Sequence, residues 1–414
     1  MVRGPETDEV RVVGVLTDYL FAPADPGAVL DTLANERTRL VTLTITGSGY
    51  PTGGDPDPQD PDVVADVERP GQPGTAFGYI VEGLDRRRRA GLAPFTVLSC
   101  DNMQNNGATT RAVVVGTARL RDPELADWIE EQVAFPSSMV DRITPETTDD
   151  VRETVVRELG LEDRWPVVTE PFSQWIVEDS FCNGRPPLEQ VGVQFVPKVV
   201  PYEVMKTRML NGAHCALGYL GHLAGYGTSD EAMADPLVRD VIAGYLQEAS
   251  ALLLAVPGID LEDYRQTLME RFSNPRISDQ LARLCRRGST KVPAYVLPSL
   301  RQALDQDQPR DHLVLALACW MRFLRGEDHE GAPFEIEDDL ADRLRPLAVS
   351  GGTDPRPLLS EQDVFGCLSN DVRLAAELEH ALQLLERGPR HAAAAVARTA
   401  VAASETGEED TCVA

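Results

Sequence analysis

The 414-residue chain is poor in positive charge, with 39 Lys and Arg against 66 Asp and Glu and a net charge of −27. A field of that sign repels phosphate, so neither nucleic acid nor an anionic membrane is an expected partner. Cysteine is scarce as well. The seven present are an odd number, lie far apart and form no CxxC pair. That argues against a disulfide framework and fits reduced thiols in a cytoplasm. Histidine is limited to six residues, and no His/Cys cluster stands at metal-ligand spacing, so no metal is expected. No apolar run approaches the roughly 18 residues of a membrane span. Residues 1–10 are charged and lack an apolar signal core, so export is not expected and the expected location is cytoplasmic. Apolar content of 43% with 25% charged residues excludes general disorder, and the length predicts two or three domains with a sizeable core.

What is present divides the chain. The first half alternates short β-type runs with helical stretches. Residues 10–15 are valine-rich, 28–35 read as a helix, and LVTLTIT at 40–46 reads as a strand ending in the turn Gly47-Ser48-Gly49. Residues 52–73 are a Pro/Asp/Gly-rich loop. Residues 78–89 read as a helix whose basic end, Arg86 to Arg89, is solvated. Further strands are expected at 95–100, within 165–179 and at 191–195. Strands alternating with helices predict a largely parallel sheet, hence an α/β domain. From Tyr202 the pattern becomes helical, over 202–223, 236–254, 261–272, 278–287, 298–304 and 312–324. The expected division is 1–197, 198–390 and a disordered tail over 391–414, with Pro197 and Pro201 at the junction.

One helix carries a chemical argument. Residues 202–223 are mostly apolar, yet they hold Glu203, Lys206, Asn211 and His214. On an ideal helix turning about 100° per residue, with Lys206 at zero, Glu203 falls at about 60°, His214 at about 80° and Asn211 at about 140°. Arg208, at about 200°, points elsewhere. A solvated amphipathic face is the plain reading of that spacing. The chemical reading is a proton-transfer site. A lysine desolvated against apolar walls is a general base near neutral pH, and an amide can donate to a developing alkoxide. His214 could hold a substrate hydroxyl, and Glu203 could relay the proton to solvent.

The segment KTRMLNGAH, with Lys206-x4-Asn211-x2-His214, resembles the signature of the polyol-specific long-chain dehydrogenases, the mannitol dehydrogenase family. Other segments agree in order: LVTLTIT at 40–46, FTVLSCDNMQNNG at 95–107, FPSSMVDRITP at 135–145, EPFSQWIVED at 170–179, PGIDLEDYRQTLMERFSN at 257–274 and GSTKVP at 288–293. The resemblance implies a Rossmann-type N-terminal domain joined to a mainly α-helical C-terminal domain, with the active site in the cleft between them. It implies metal-independent interconversion of a polyol such as mannitol and a ketose such as fructose, using NAD or NADP. Carried over residue by residue, Lys206 is the catalytic base, and Asn211 and Asn102 polarise the reacting oxygen. His214, Asp141, Arg283 and Lys291 line the substrate hydroxyls. The implied partner is a small polyol or ketose, and the protein a monomer or small homo-oligomer.

The sequence departs from the family at its beginning. The family opens with a Gly-rich turn of the GxGxxxR type, which has no counterpart here. The expectation is a partial Rossmann domain lacking its first strands and helix, which would bind NAD(H) poorly and be prone to aggregation. Cofactor contacts then stay unassigned, with Thr46, Gly47 and Ser48 as candidates, although the family usually carries an acidic residue where Gly47 stands. The alternatives are a reductase of a keto-uronate of the fructuronate type, and a catalytically silent remnant that binds a sugar or a protein partner.

Overall fold

The structure, a computed structural model, describes residues 1–51 and 53–398. Two compact units emerge, each discontinuous in sequence. Residues 11–142 and 172–203 form an α/β unit; residues 1–10, 143–171 and the described chain from 204 to 398 form a helical unit. The described strands are short. They are β1 (Val2–Arg3), β2 (Asp8–Glu9), β3 (Leu40–Leu43), β4 (Thr96–Ser99), β5 (Ser138–Asp141), β6 (Gln174–Glu178) and β7 (Gln194–Val196).

In the α/β unit, β3 and β4 run parallel, with Leu40 opposite Thr96 and Leu43 opposite Ser99. The other ladder is mixed. β5 is antiparallel to β6, and β6 is parallel to β7. The array is therefore less uniformly parallel than the alternation of runs predicts. Alternate side chains of the β4 region serve opposite faces, as a strand period of two requires. Phe95 and Val97 join a core with Leu84, Val114, Ala118, Leu125 and Ile129, while Leu98 joins Val177 and Val193. A sheet covered on both faces explains why FTVLS is a continuous apolar run.

Helix starts follow a repeated device. Asp25-Pro26, Asp60-Pro61 and Asp122-Pro123 open three helices of this unit, and Asp235-Pro236 opens one in the helical unit. Each aspartate caps a backbone N–H, for example Ala28 N–H to Asp25 Oδ1 at 3.0 Å, and each proline occupies a position whose N–H needs no partner.

Three expectations are corrected. The valine-rich run 10–15 forms no strand, and Val12, Val13 and Val15 are exposed. Apolar β-branched residues make a strand only where a ladder partner exists, and none is recorded here. The basic end of the helix Ala76–Arg89 is not a solvated terminus. Arg87 is buried and donates to the carbonyls of Leu33, Asn35 and Ala93. Arg86 and Arg88 pair with Glu82, Asp85 and Asp122. Finally, residues 391–398 are helical, with Ala392 and Ala393 buried, where the tail was expected; residues 399–414 lie outside the described residues.

The helical unit centres on Asp311–Phe323, buried from His312 through Phe323, and on Gly212–Leu223. A buried ion pair ties a non-helical segment to it. The Arg271 guanidinium donates to both oxygens of Glu170, at 3.0 and 2.7 Å, and Glu170 also accepts from the Ile143 N–H at 2.6 Å. Replacing Arg271 by Met strands a buried carboxylate, which should cost about 3–5 kcal/mol in urea unfolding. Adding Glu170→Gln should return part of that loss. A cost below about 1 kcal/mol for Arg271→Met, the size of a surface pair, would show that the pair does not anchor this segment.

Candidate functional site

Lys206 ends the helix Val200–Lys206, one turn after Glu203, and both side chains are buried. The chain then makes a π turn over Thr207–Asn211 before continuing as Gly212–Leu223. This departs from the ideal helix assumed from sequence. A π turn closes i→i+5 and takes about 4.4 residues, hence about 82° per residue. Asn211 then lies at about 50° from Lys206, and His214 at about −10°. The extra residue draws the lysine, the amide and the imidazole into a narrower arc than an α-helix would give.

The π turn has identifiable supports. Tyr245 Oη donates to the Arg208 carbonyl at 3.3 Å, satisfying an oxygen inside the wide turn. Gly212 makes room for it, since a Cβ there would lie 2.1 Å from that hydroxyl. Burial pushes Tyr245 well above its ordinary range, so the hydroxyl stays a donor. Arg208 is anchored separately, to Gln302 Oε1 at 2.5 Å.

His214 stacks against Phe272 with ring centroids 4.7 Å apart. Its proton affinity is lowered well below the ordinary imidazole value, first by burial and then by the cations Arg271, Arg283, Lys291 and Lys206. Arg283 is itself bound through two nitrogens to the buried carboxylate of Asp279. Lys291 Nζ donates to the Leu284 carbonyl at 3.2 Å, and burial lowers its pKa. The helical unit therefore brings Lys206, Asn211, His214, Arg283 and Lys291 into one neighbourhood.

The remaining candidates belong to the α/β unit. Asn102 follows β4, Asp141 ends β5 and is buried, and Thr46, Gly47 and Ser48 are exposed in the turn after β3. Asn106, which has no role among the sequence expectations, is a rivet here. Its side chain donates to the carbonyls of Asp101 and Ser138 and accepts from the Ser138 N–H. It thus fixes the chain around Asn102 to the start of the strand that carries Asp141. Gly107 beside it has a packing reason, because a Cβ would lie 2.6 Å from the Phe135 carbonyl. The signal was available as Asn106-Gly107 directly after an apolar strand.

A second missed signal is the scarcity of lysine. The chain has three, Lys198, Lys206 and Lys291, among 39 basic residues. Arginine cannot release its proton in a protein, whereas lysine can when desolvated. Two of the three lysines lie in the neighbourhood of His214.

Two family models cover almost the whole chain: the mannitol dehydrogenase Rossmann domain over residues 2–190 and the mannitol dehydrogenase C-terminal domain over 198–386. The chain belongs to the mannitol dehydrogenase family. A mannitol 2-dehydrogenase of Phaeosphaeria nodorum is 44% identical, over 92% of this chain and 68% of that protein. The mannitol dehydrogenase 2 of Saccharomyces cerevisiae is also 44% identical, over 94% and 79%. Among solved structures, the ternary complex of Pseudomonas fluorescens mannitol 2-dehydrogenase with NAD and D-mannitol matches with a TM-score of 0.82 at 40% identity, covering 96% of this chain and 82% of that one. A substrate-free D-sorbitol dehydrogenase matches with a TM-score of 0.87 at 38% identity, covering 95% and 82%.

The residues can be tested against the nicotinamide cofactor of this family. A dinucleotide lies at the carboxyl ends of parallel strands, against backbone turns and a helix start. The ends of β3 and β4 supply the turn Gly47–Gly49, the polar stretch at Asp101 and Asn102, and the start of the helix Asn106–Arg121. Those groups fit the reacting end of the cofactor. A Gly-rich phosphate turn opening a helix directly after a strand is not found among the described residues. No group of three or more metal-ligating side chains occurs among them either, and none of their helices is long and apolar enough to cross a membrane.

The His214 shift has a pH consequence. Well above about pH 6.5, folded and unfolded chains both hold the ring neutral. Below that value the unfolded chain takes a proton that the folded site refuses, so stability falls as the pH falls. Between pH 7 and pH 5, the wild-type Tm should drop more steeply than that of His214→Gln. Equal slopes would contradict the enclosure of His214 among cations.

Proposed function

We propose that the protein interconverts a polyol such as mannitol and its ketose such as fructose, with NAD as hydride carrier and Lys206 as proton acceptor. The observation that carries this reading is the π turn that aligns Lys206, Asn211 and His214, in a chain that otherwise uses arginine for nearly all its positive charge. Bound to the α/β unit, the nicotinamide supplies the hydride acceptor or donor. The chain's own residues do the rest. Lys206 Nζ, on a buried side chain, takes the proton of the reacting hydroxyl. The Asn211 amide donates to the same oxygen as negative charge grows on it. His214, whose neutral form is favoured by burial and surrounding cations, offers one ring donor and one ring acceptor to substrate hydroxyls.

Arg283 and Lys291 bind further hydroxyls. Asn102 is assigned to the reacting oxygen and Asp141 to a hydroxyl, on the residue-by-residue match to the family. Glu203, one turn before Lys206, is assigned to passing the proton onward. Thr46, Gly47 and Ser48 are assigned to the cofactor. Neither the keto-uronate nor the silent-remnant reading is favoured by the four relatives described above, which are named for mannitol or sorbitol.

Mannitol oxidation with NAD and fructose reduction with NADH test the reading. Lys206→Ala should lower kcat by about 10²–10⁴-fold in a protein that still melts cooperatively. Oxidation by the wild type should rise with pH as the base loses its proton. Near-normal turnover by a folded Lys206→Ala protein, or a flat profile from neutral to alkaline pH, would remove Lys206 from this role.

A further inference from the structure

Asp101 has no role in the chemistry described so far, yet four groups of the α/β unit converge on its carboxylate, the most distant being the Ser99 hydroxyl, which donates to Oδ2 at 3.4 Å. Its Oδ1 accepts from two successive backbone N–H groups, Ile45 at 2.8 Å and Thr46 at 2.7 Å. Its Oδ2 accepts from Tyr50 Oη at 2.8 Å. The carboxylate is buried, directly after β4 and directly before Asn102. Both halves of the clamp lie at the carboxyl ends of the parallel pair β3–β4, where a doubly wound sheet presents its ligand groups.

The clamped segment is strained. Thr46 has φ +64° and ψ 162°, a conformation that a β-branched residue rarely adopts. Two adjacent N–H groups aimed at one oxygen force the chain to turn there. Released from that oxygen, Thr46 would relax to extended backbone and carry Gly47 and Ser48 with it. Thr46, Gly47 and Ser48 are themselves exposed, while the flanking Ile45 and Tyr50 pack on the core, so the strained residue makes no core contact of its own. A carboxylate serving only stability would not hold an exposed turn in an unfavourable conformation. Such strain gathers where a group must be pre-organised for a ligand.

We propose that Asp101 is a positioning residue for hydride transfer: by clamping the Ile45 and Thr46 amides it holds the Thr46–Ser48 turn in register with its neighbour Asn102, ready for the reacting end of the nicotinamide cofactor. The inference rests on the functional reading above and adds a residue to it. Asp101 acts through the turn and through Asn102, and touches neither cofactor nor substrate itself.

The test compares the full chain carrying Asp101, Asp101→Asn and Asp101→Ala by three readouts. They are hydrogen exchange of peptides spanning 43–50, NADH affinity from quenching of protein fluorescence, and steady-state kcat and KM. All are measured well below each variant's Tm. Asp101→Ala should lose amide protection at 45–46 while peptides from the helix Asn106–Arg121 keep theirs. Its NADH affinity should fall about tenfold, the size of one charged hydrogen bond, and kcat/KM should fall further because Asn102 shifts too. Asp101→Asn keeps an acceptor oxygen and should be intermediate in all three readouts. Where Asp101→Ala does not fold, the Asn variant decides in the same way.

Lost protection with NADH affinity and kcat/KM within about twofold of wild type would overturn the proposal, since about twofold is far less than one hydrogen bond. So would unchanged protection. A folded wild-type protein that neither binds NADH nor reduces fructose even at cofactor concentrations high enough to reveal weak binding would overturn the functional reading itself. That outcome is seen before any variant is compared, so the two failures are distinguishable.

Discussion

An amine kept out of water inside a helical unit is the constraint on which the site depends. Lys206 is buried, and a lysine held away from water is, in general, the kind that can serve as a base near neutral pH. The neighbouring arginines are matched by carboxylates of their own, Arg271 by Glu170 and Arg283 by Asp279. Burial first, and then the charges of Arg271, Arg283, Lys291 and Lys206, disfavour a proton on His214. The π turn, held by the Tyr245 hydroxyl over Gly212, then sets the amide and the imidazole on the lysine's side of the helix.

The α/β unit answers a different need, a backbone arranged for a planar cofactor end. Its rigid points are polar and buried. Asn106 ties β4 to β5, and Asp101 ties β4 to the turn after β3. Both residues satisfy several backbone groups at once, which is how an irregular segment is held firmly without becoming a helix or a strand.

Much of this was legible in the sequence. The switch from β-type runs to helical periodicity near Tyr202 marks where named strands cease among the described residues, because periodicity depends on which side chains must be buried. Lys206, Asn211 and His214 stood out because polar residues in an apolar helix need a reason. Their angular relation was misread, since nothing in KTRMLNGAH announces a π turn; Gly212 and Tyr245, far apart in sequence, create it together. The strand expected at 10–15 failed for a related reason. Valines favour a ladder, but a ladder partner is a tertiary fact. Arg87 shows the opposite error. A run of four arginines resembles a solvated terminus, and only the fold reveals that one of them caps three carbonyls. Asp101 was hidden behind Asn102, because its role lies in backbone groups more than fifty residues away.

The central claim is that Lys206 is the proton acceptor, and chemical rescue tests it most directly. In Lys206→Ala, small primary amines can enter the space left by the side chain. If a neutral amine is what the reaction needs, added ammonia, methylamine and ethylamine should restore mannitol oxidation, more effectively as the amine becomes more basic at matched size. Tetramethylammonium, which carries the charge but accepts no proton, should restore nothing. Rescue by tetramethylammonium equal to that by methylamine would mean that Lys206 supplies only charge, and would contradict its assignment as the base.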